Sequence, residues 1–237
     1  FTGYLGFKVN SGEYKVMGLA PYGEPRYVDQ VRTLLDVAPD GSFRLDMSYF
    51  DFDFGMRMAN ERFFELFGRP QRASESPLED FHKDVARSLQ EVLNEVMVKQ
   101  ATSLQAETGA THLCMAGGVA LNCVANGHIL RETPFEQVFI QPAAGDAGGA
   151  VGCALFTWFQ YLDNQRKTDN KIDFMQGSYL GPEFKNGSIE SFLKKNEISY
   201  ETLRDLVYQH LQLYLHMLGR TCSNPCTFLS DLPGRLS

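Results

Sequence analysis

Apolar residues recur at a helical period over one long stretch of this chain. Between residue 77 and about residue 108, apolar side chains return every three or four positions, as in Phe81, Val85, Leu89 and Val92. This spacing predicts one long amphipathic helix with a single inward face. The charged residues of the stretch are expected on its solvated side: Asp84, Arg87, Glu91 and Lys99.

Two short apolar runs, residues 111–115 and 135–140, have a different pattern. Each is bounded by turn residues and is followed by a glycine-rich segment, MAGGVALNCVANG (115–127) and QPAAGDAGGA (141–150). Short apolar runs of this kind predict buried strands, and the segments after them predict turns that open helices. The second helix is expected over residues 147–161. Two consecutive strand, turn and helix units indicate an α/β fold.

Shorter elements are predicted elsewhere in the chain. Asp40 and Gly41 mark a hairpin turn. The other expected elements are a short strand and a turn within 1–21, helices over 28–35, 60–67 and 189–195, and a half-exposed strand over 42–47. The aromatic residues from Tyr49 to Phe54 either line a pocket for a substrate or, as large apolar groups, anchor the core and its loops.

The glycine turns are candidate anion sites. Gly117 and Gly118 permit a close approach of a ligand to the main chain, and the helix that follows offers unpaired N–H groups and a positive dipole end. We expect Asn122 about one turn into this helix, within reach of the ligand or bonded to the neighbouring loop. Gly145 and Gly148 form the equivalent turn in the second unit. Glycine turns also serve simply to pack a helix on a sheet, so each turn taken alone is weak support.

Asp146 lies at the mouth of the second turn. A carboxylate at this position is a candidate metal ligand, and the alternative is that it caps the following helix. Lys15 lies in a third glycine-flanked segment, EYKVMGLAPYG (13–23), and is either an anion contact or a solvated surface lysine.

These segments resemble a known family. Together with YLGPEF (179–184), they are similar in amino-acid sequence and in order to motifs of the carbamoyltransferases. This family includes O-carbamoyltransferases that modify nodulation factors and antibiotics such as tobramycin. The resemblance covers roughly residues 1 to 200. It implies the second half of an actin, sugar-kinase and Hsp70-like ATPase domain (ribonuclease H-like), followed by the start of a C-terminal α/β domain.

The resemblance also implies a reaction. Such enzymes use ATP and carbamoyl phosphate to make carbamoyl adenylate, and pass the carbamoyl group to a hydroxyl of a sugar-containing metabolite beside Fe²⁺, with Mg²⁺ accompanying ATP. By this resemblance Gly117, Gly118, Asn122, Gly145, Gly148 and Lys15 line the nucleotide, and Asp146 is a metal ligand. The family's other metal ligands belong to a His-x-x-x-His motif, which this chain does not contain.

The resemblance predicts a division of the chain into three parts. Residues 1–176 correspond to the family's N-terminal domain, 177–206 begin its C-terminal domain, and 207–237 are a divergent or frameshifted tail that we expect to be poorly packed. The chain starts within the family pattern, so we interpret it as a fragment that is inactive by itself. A sugar kinase or ATPase-like phosphotransferase of the same superfamily, or a non-catalytic remnant, is the alternative.

Composition narrows the class of partner. The chain is 43% hydrophobic and 22% charged with a net charge of −7, which disfavours binding to nucleic acids or to anionic membrane surfaces. Its longest apolar run is too short to span a bilayer. Cys114, Cys123 and Cys153 lie in apolar segments and are expected to be buried thiols, as in a cytoplasmic protein.

Overall fold

The computed structural model describes residues 1–167, 181–200 and 202. The chain divides into two compact units, Phe1–Asp169 and Asn170–Ser237. Helices and two small sheets make up the first unit, so the α/β prediction is confirmed. The predicted boundary at residue 176 and the predicted tail, 207–237, lie outside the described residues.

The elements follow one another in a mixed order. The helices are α1 (Glu13–Leu19), α2 (Val28–Thr33), α3 (Glu61–Phe67), α4 (Asp80–Thr108), α5 (Cys123–Glu132), α6 (Gly148–Phe156) and, in the second unit, α7 (Asn186–Lys195). The strands are β1 (Leu35–Val37), β2 (Phe43–Leu45), β3 (His112–Met115) and β4 (Gln137–Ile140). Short 3₁₀ segments cover Ala20–Tyr22, Met47–Tyr49 and Gly118–Leu121, and a π-helical turn, Thr157–Tyr161, extends α6.

Helix α4 is the central element of the first unit. It begins with a capping box in which the Glu79 N–H donates to Nδ1 of His82, and it ends at Gly109, which adopts a left-handed conformation. Helices α1, α2 and α5 pack against it. Its predicted extent is confirmed, because the apolar period of the sequence matches the face that these helices cover.

Two expectations about this region are wrong. Residues 1–21 contain helix α1 rather than a strand, because Val16 and Leu19 lie on one face of a helix and are buried in the main core. Asp84 is buried rather than solvated. Its Oδ1 accepts the Glu24 N–H at 2.8 Å and its Oδ2 lies 3.3 Å from Nη1 of Arg26, so it holds the loop before α2 against α4.

The predicted hairpin is confirmed. Strands β1 and β2 pair antiparallel, with Val37 opposite Phe43. Gly41 has a φ of 83°, which favours glycine, and Oδ1 of Asp40 accepts the Ser42 N–H at 2.9 Å.

Aromatic residues build the main core. Phe63 and Phe67 of α3 have ring centroids 5.0 Å apart, and Tyr4 meets Phe63 edge-on, also at 5.0 Å. Of the aromatic residues between 49 and 54, Tyr49 and Phe50 pack against this core. Phe52 and Phe54 are exposed. The core-anchoring interpretation therefore holds for the first part of that segment.

The second packing cluster lies beneath the parallel strands. Ala101 of α4, Ile129 of α5 and Phe135 are buried together, and Leu113 and Val138 pack on them from one face of the sheet. Among the described helices, none is long and apolar enough to cross a membrane.

Candidate functional site

Two parallel strands position both glycine turns. Strands β3 and β4 pair in register, with Met115 opposite Ile140. Because the strands are parallel, both carboxyl ends lie at the same edge of the sheet, and a glycine-rich turn follows each of them. In α/β proteins this edge is the usual location of ligands. The strands predicted over 111–115 and 135–140 are confirmed and begin one or two residues later than expected. Their expected burial is wrong, because residues along each strand alternate between exposed and half-buried.

A backbone hydrogen bond joins the two turns. The N–H of Gly117 donates to the carbonyl of Ala144 at 2.8 Å. Gly117 has φ 99° and ψ 161°, a conformation that is essentially restricted to glycine. This backbone conformation lets the chain leave β3 toward the second turn. The sequence predicted two glycine turns, and the structure brings them side by side.

The first turn continues into the 3₁₀ segment Gly118–Leu121, and α5 starts only afterwards. Asn122 is therefore the N-cap of α5 rather than a residue one turn inside it. Its Oδ1 accepts the Ala125 N–H at 3.0 Å. The sequence expectation was wrong here because Gly117 and Gly118 open a 3₁₀ turn, which delays the α-helix by one turn.

The Asn122 amide is also paired with a side chain of α4. Its Nδ2 donates to Oε1 of Gln90 at 3.0 Å, and Nε2 of Gln90 donates back to Oδ1 of Asn122 at 3.1 Å. Nε2 of Gln90 donates as well to Oδ1 of Asn94 at 2.7 Å. Sequence reasoning missed Gln90 and Asn94. Polar residues four positions apart among the inward-facing valines of α4 are the signal that would have identified them.

The second turn is shaped by a close backbone approach. A Cβ at Gly148 would overlap the carbonyl oxygen of Ala143, whereas a Cβ at Gly149 would meet nothing within 4 Å. A Cβ at Gly145 would lie 3.8 Å from Cδ1 of Leu121, in the first turn. Gly148 is therefore required by the turn itself, and Gly145 faces the neighbouring turn at ordinary contact distance.

Asp146 is exposed at this turn. Helix α6 has Ala147 as its N-cap and no side-chain cap bond, so the helix-cap alternative for Asp146 is wrong. Within the described part of the chain, no three or more His, Cys, Asp or Glu side chains converge into a group that could hold a metal ion. Because a metal centre needs several ligands, the described residues do not by themselves fit one.

Lys15 lies on the exposed side of α1, with its Nζ 5.9 Å from the ring centroid of Phe7. Two residues further on, Sδ of Met17 lies 3.9 Å from Sγ of Cys123, at the start of α5. Helix α1 thus runs beside the first turn. Residues two apart on a helix point about 200° apart, so Lys15 is on the side of α1 away from this contact. Its role in anion binding stays a prediction.

The outer face of the parallel sheet is exposed within the first unit. Phe139 is 56% exposed, and Cys114 beside it is exposed as well. Cys123 and Cys153 are also exposed, so the expectation of three buried thiols is wrong. These residues have the apolar neighbours along the chain that usually accompany burial, but they lie on faces that the rest of the unit does not cover.

These features define an α/β protein with two linked glycine turns at the carboxyl edge of parallel strands. Residues 1–155 match the family described as Carbamoyltransferase N-terminus. The chain therefore belongs to this carbamoyltransferase family, as the resemblance of its motifs predicts.

The chain is also similar to individual proteins. An uncharacterized protein of Synechocystis sp. is 56% identical over 195 residues, which are 82% of this chain and 32% of that protein. Nodulation protein NolO of Bradyrhizobium diazoefficiens is 39% identical over 144 residues, covering 60% of this chain and 24% of NolO. Nodulation protein NolNO of Sinorhizobium fredii is 36% identical over 181 residues, covering 76% of this chain and 24% of NolNO. The chain thus spans about a quarter to a third of the length of these relatives.

Proposed function

We propose that this chain is part of an O-carbamoyltransferase. The complete reaction uses ATP and carbamoyl phosphate to form carbamoyl adenylate, and then transfers the carbamoyl group to a hydroxyl of a sugar-containing metabolite. Membership of the carbamoyltransferase family supports this function over the phosphotransferase alternative. We further propose that residues 1–176 belong to an actin-like ATPase domain and that the protein works in the cytoplasm on small molecules.

One observation carries the location of the nucleotide site. The hydrogen bond from Gly117 to Ala144 holds the two glycine turns together at one edge of the sheet. Among the described residues, the N–H groups of Gly118 and Val119 in the first turn and of Gly145 and Asp146 in the second donate to no backbone carbonyl, so they are available to an anion. The N–H groups of Gly148 and Gly149 donate instead to the carbonyls of Gly145 and Asp146. A phosphate between the turns would meet donors from both, with Gly118 and Gly145 leaving room for it.

The turns have a defined task in the transfer step. As the acceptor oxygen bonds to the carbamoyl carbon, the bond from that carbon to the AMP oxygen breaks, and the hydroxyl proton passes to water. Negative charge then grows on the AMP phosphate. Backbone N–H groups fixed beside that phosphate stabilise this charge without rearranging during the reaction.

Asn122 and Asp146 have different tasks in this proposal. Three hydrogen bonds to Gln90 and the Ala125 N–H hold the Asn122 amide, so we assign it to shaping the turn rather than to contacting the nucleotide. Asp146 supplies at most one metal ligand. The predicted Fe²⁺, and the Mg²⁺ that accompanies ATP, would need ligands beyond the described residues, and no step is assigned to either ion.

Substitution of Gly118 by alanine tests the nucleotide site. A Cβ at this position meets nothing within 4 Å and its φ is not in the left-handed range, so the fold tolerates the change. The added methyl group, however, covers the face that a phosphate would approach. We expect Gly118→Ala to weaken ATP binding at least about tenfold in calorimetry, the size of a few lost backbone contacts.

Gly149→Ala is the matched control, because its Cβ also meets open space but lies within α6. It should bind ATP like the unaltered chain. Equal ATP affinity in all three proteins, or no ATP binding by the unaltered chain, would contradict the proposed site.

A further inference from the structure

Gln90 connects the most deeply packed helix of the unit to the first glycine turn. It lies in the first half of α4, is 6% exposed, and reaches Asn122, which is 32 positions away along the chain. Gln90, Asn94 and the half-buried Asn122 form an amide network. This network is a polar contact between α4 and the N-terminus of α5. Elsewhere, α4 packs toward α5 through apolar residues.

The hydrogen bonds of this network are mutually consistent. Oδ1 of Asn122 accepts the Ala125 N–H, which fixes the oxygen end of that amide. Nδ2 of Asn122 must then face an acceptor, and Oε1 of Gln90 is at 3.0 Å. Both hydrogens of Gln90 Nε2 are used as well, one toward Asn122 and one toward Asn94. The orientations of the Gln90 and Asn122 amides are thus determined by their neighbours, as in a connected hydrogen-bond network.

A second asparagine holds the same turn from the other side. Nδ2 of Asn126 donates to the carbonyl of Ala120 at 2.8 Å, and Ala120 N–H donates to the carbonyl of Gly117 at 3.1 Å. The 3₁₀ segment is therefore fixed from within α5 by Asn126 and from α4 by Gln90. Asn126 belongs to α5 itself. Of these two residues, only Gln90 links the turn to a different helix, α4.

We propose that Gln90 is a positioning residue for the nucleotide site. Through Asn122 it holds residues 117–122 in the conformation that binds phosphate, and so transfers the rigidity of α4 to the glycine turn. The predicted effect of Gln90 on ATP binding rests on the proposed function. Its predicted effect on the conformation of the turn does not depend on any ligand.

Gln90→Leu tests the inference. It introduces an apolar side chain of similar size and leaves Nδ2 of Asn122 without its acceptor. We expect hydrogen exchange of the amides in 118–125 to accelerate while exchange in the hairpin of β1 and β2 is unchanged. ATP affinity should fall about tenfold at a temperature at which the variant is fully folded. Gln90→Glu should act in the same direction, because a carboxylate oxygen would face Oδ1 of Asn122 or of Asn94.

Ser88→Ala is the control on the same helix. Ser88 is fully buried and its Oγ accepts the Tyr27 N–H at 2.9 Å, so its loss removes a comparable contact at a different loop. This variant should accelerate exchange near Tyr27 and leave ATP affinity unchanged. Asn122→Asp, which retains the helix cap, should weaken ATP binding by itself but cause little further loss when combined with Gln90→Leu.

The outcomes separate this inference from the proposed function. If Gln90→Leu is destabilised but exchange in 118–125 and ATP affinity match the unaltered chain, Gln90 is only structural and the inference is wrong. If Gln90→Leu accelerates exchange in the turn but the unaltered chain binds no ATP, the positioning of the turn by Gln90 is supported and the proposed nucleotide function fails.

Discussion

Apolar residues are buried in the helical core around α4 but exposed at the edge formed by the two glycine turns. In the core, the aromatic side chains of Tyr4, Phe63 and Phe67 are buried against one another, and Phe63 is at 0% exposure. At the glycine edge, apolar residues such as Val119, Leu121 and Phe139 are exposed, and the backbone rather than the side chains determines the shape. The first region is held by buried area, and the second by conformation and a few directed hydrogen bonds.

This difference separates the stability of the chain from its proposed chemistry. Burial contributes free energy in proportion to area and depends little on exact orientation, so a core tolerates conservative exchange. A glycine turn that presents N–H groups to a phosphate depends on a few dihedral angles and contacts, chiefly at Gly117, Gly148 and Asn122. Substitutions in the two regions should consequently have different signatures.

The largest expected effect is at the centre of the core. Phe63→Ala removes a ring that packs against Tyr4 and Phe67 and should lower the free energy of unfolding by about 3–5 kcal/mol in chemical denaturation. Phe54→Ala is the control, because that ring is 82% exposed, and it should change the free energy by no more than about 0.5 kcal/mol. Similar losses of unfolding free energy in both variants would contradict the expected difference between buried and exposed aromatic residues.

Backbone strain at the glycine edge should have an intermediate effect. Gly117→Ala forces a side chain into a φ of 99° and should cost about 1–3 kcal/mol of unfolding free energy. Gly148→Ala adds a methyl group against the carbonyl of Ala143 and should be destabilising as well. Gly149→Ala, one residue further into α6, should be neutral or stabilising by up to about 1 kcal/mol because alanine favours helix. A neutral Gly117→Ala would show that the turn does not need this conformation.

A smaller effect is expected from His82 as the pH falls. Burial lowers the pKa of His82 from its ordinary value of 6.5, with Arg72 and Arg69 acting in the same direction and Glu79 opposing them. The unfolded chain then binds the proton more readily than the folded chain. This stabilising contribution is complete above about pH 6.5 and is lost as the pH falls toward the lower folded pKa.

His82→Gln isolates that contribution. Glutamine retains an acceptor for the Glu79 N–H in the capping box but does not titrate. Denaturation between pH 7 and pH 5 should therefore show a flatter pH dependence for the variant than for the unaltered chain. An identical slope for both proteins would mean that His82 is not the titrating group.

The smallest effect on stability is expected at Asp146. This carboxylate is exposed and does not cap α6, so Asp146→Asn should change the free energy of unfolding by no more than about 0.5 kcal/mol. If Asp146 is a metal ligand in the complete protein, the same change should reduce metal-dependent activity there. A large loss of stability in this chain would indicate instead that Asp146 has a structural role.

The sequence predicted the elements better than their details. The long period of α4, the two apolar runs and the Asp40-Gly41 turn each have a local cause, so these elements are found where they were expected. Asp84 and the three cysteines were misjudged because burial depends on which faces other elements cover, a property of the tertiary structure. Asn122 was displaced by one turn because the sequence does not distinguish a 3₁₀ start from an α-helical one.

The candidate site, too, was predictable only in part. The glycines and Asp146 were visible as a motif, and the family resemblance is confirmed. The hydrogen bond between the turns and the contact of Gln90 with Asn122 link residues distant along the chain, so neither was predictable from local pattern.

Titration of the isotopically labelled chain with ATP, followed by its backbone amide spectrum, tests the central claim most directly. We predict that the largest shifts cluster at Gly117, Gly118, Gly145 and Gly148, with small shifts in the core around Phe63. Shifts centred on another surface, or no shifts at millimolar ATP, would contradict the assignment of the paired glycine turns as the nucleotide site.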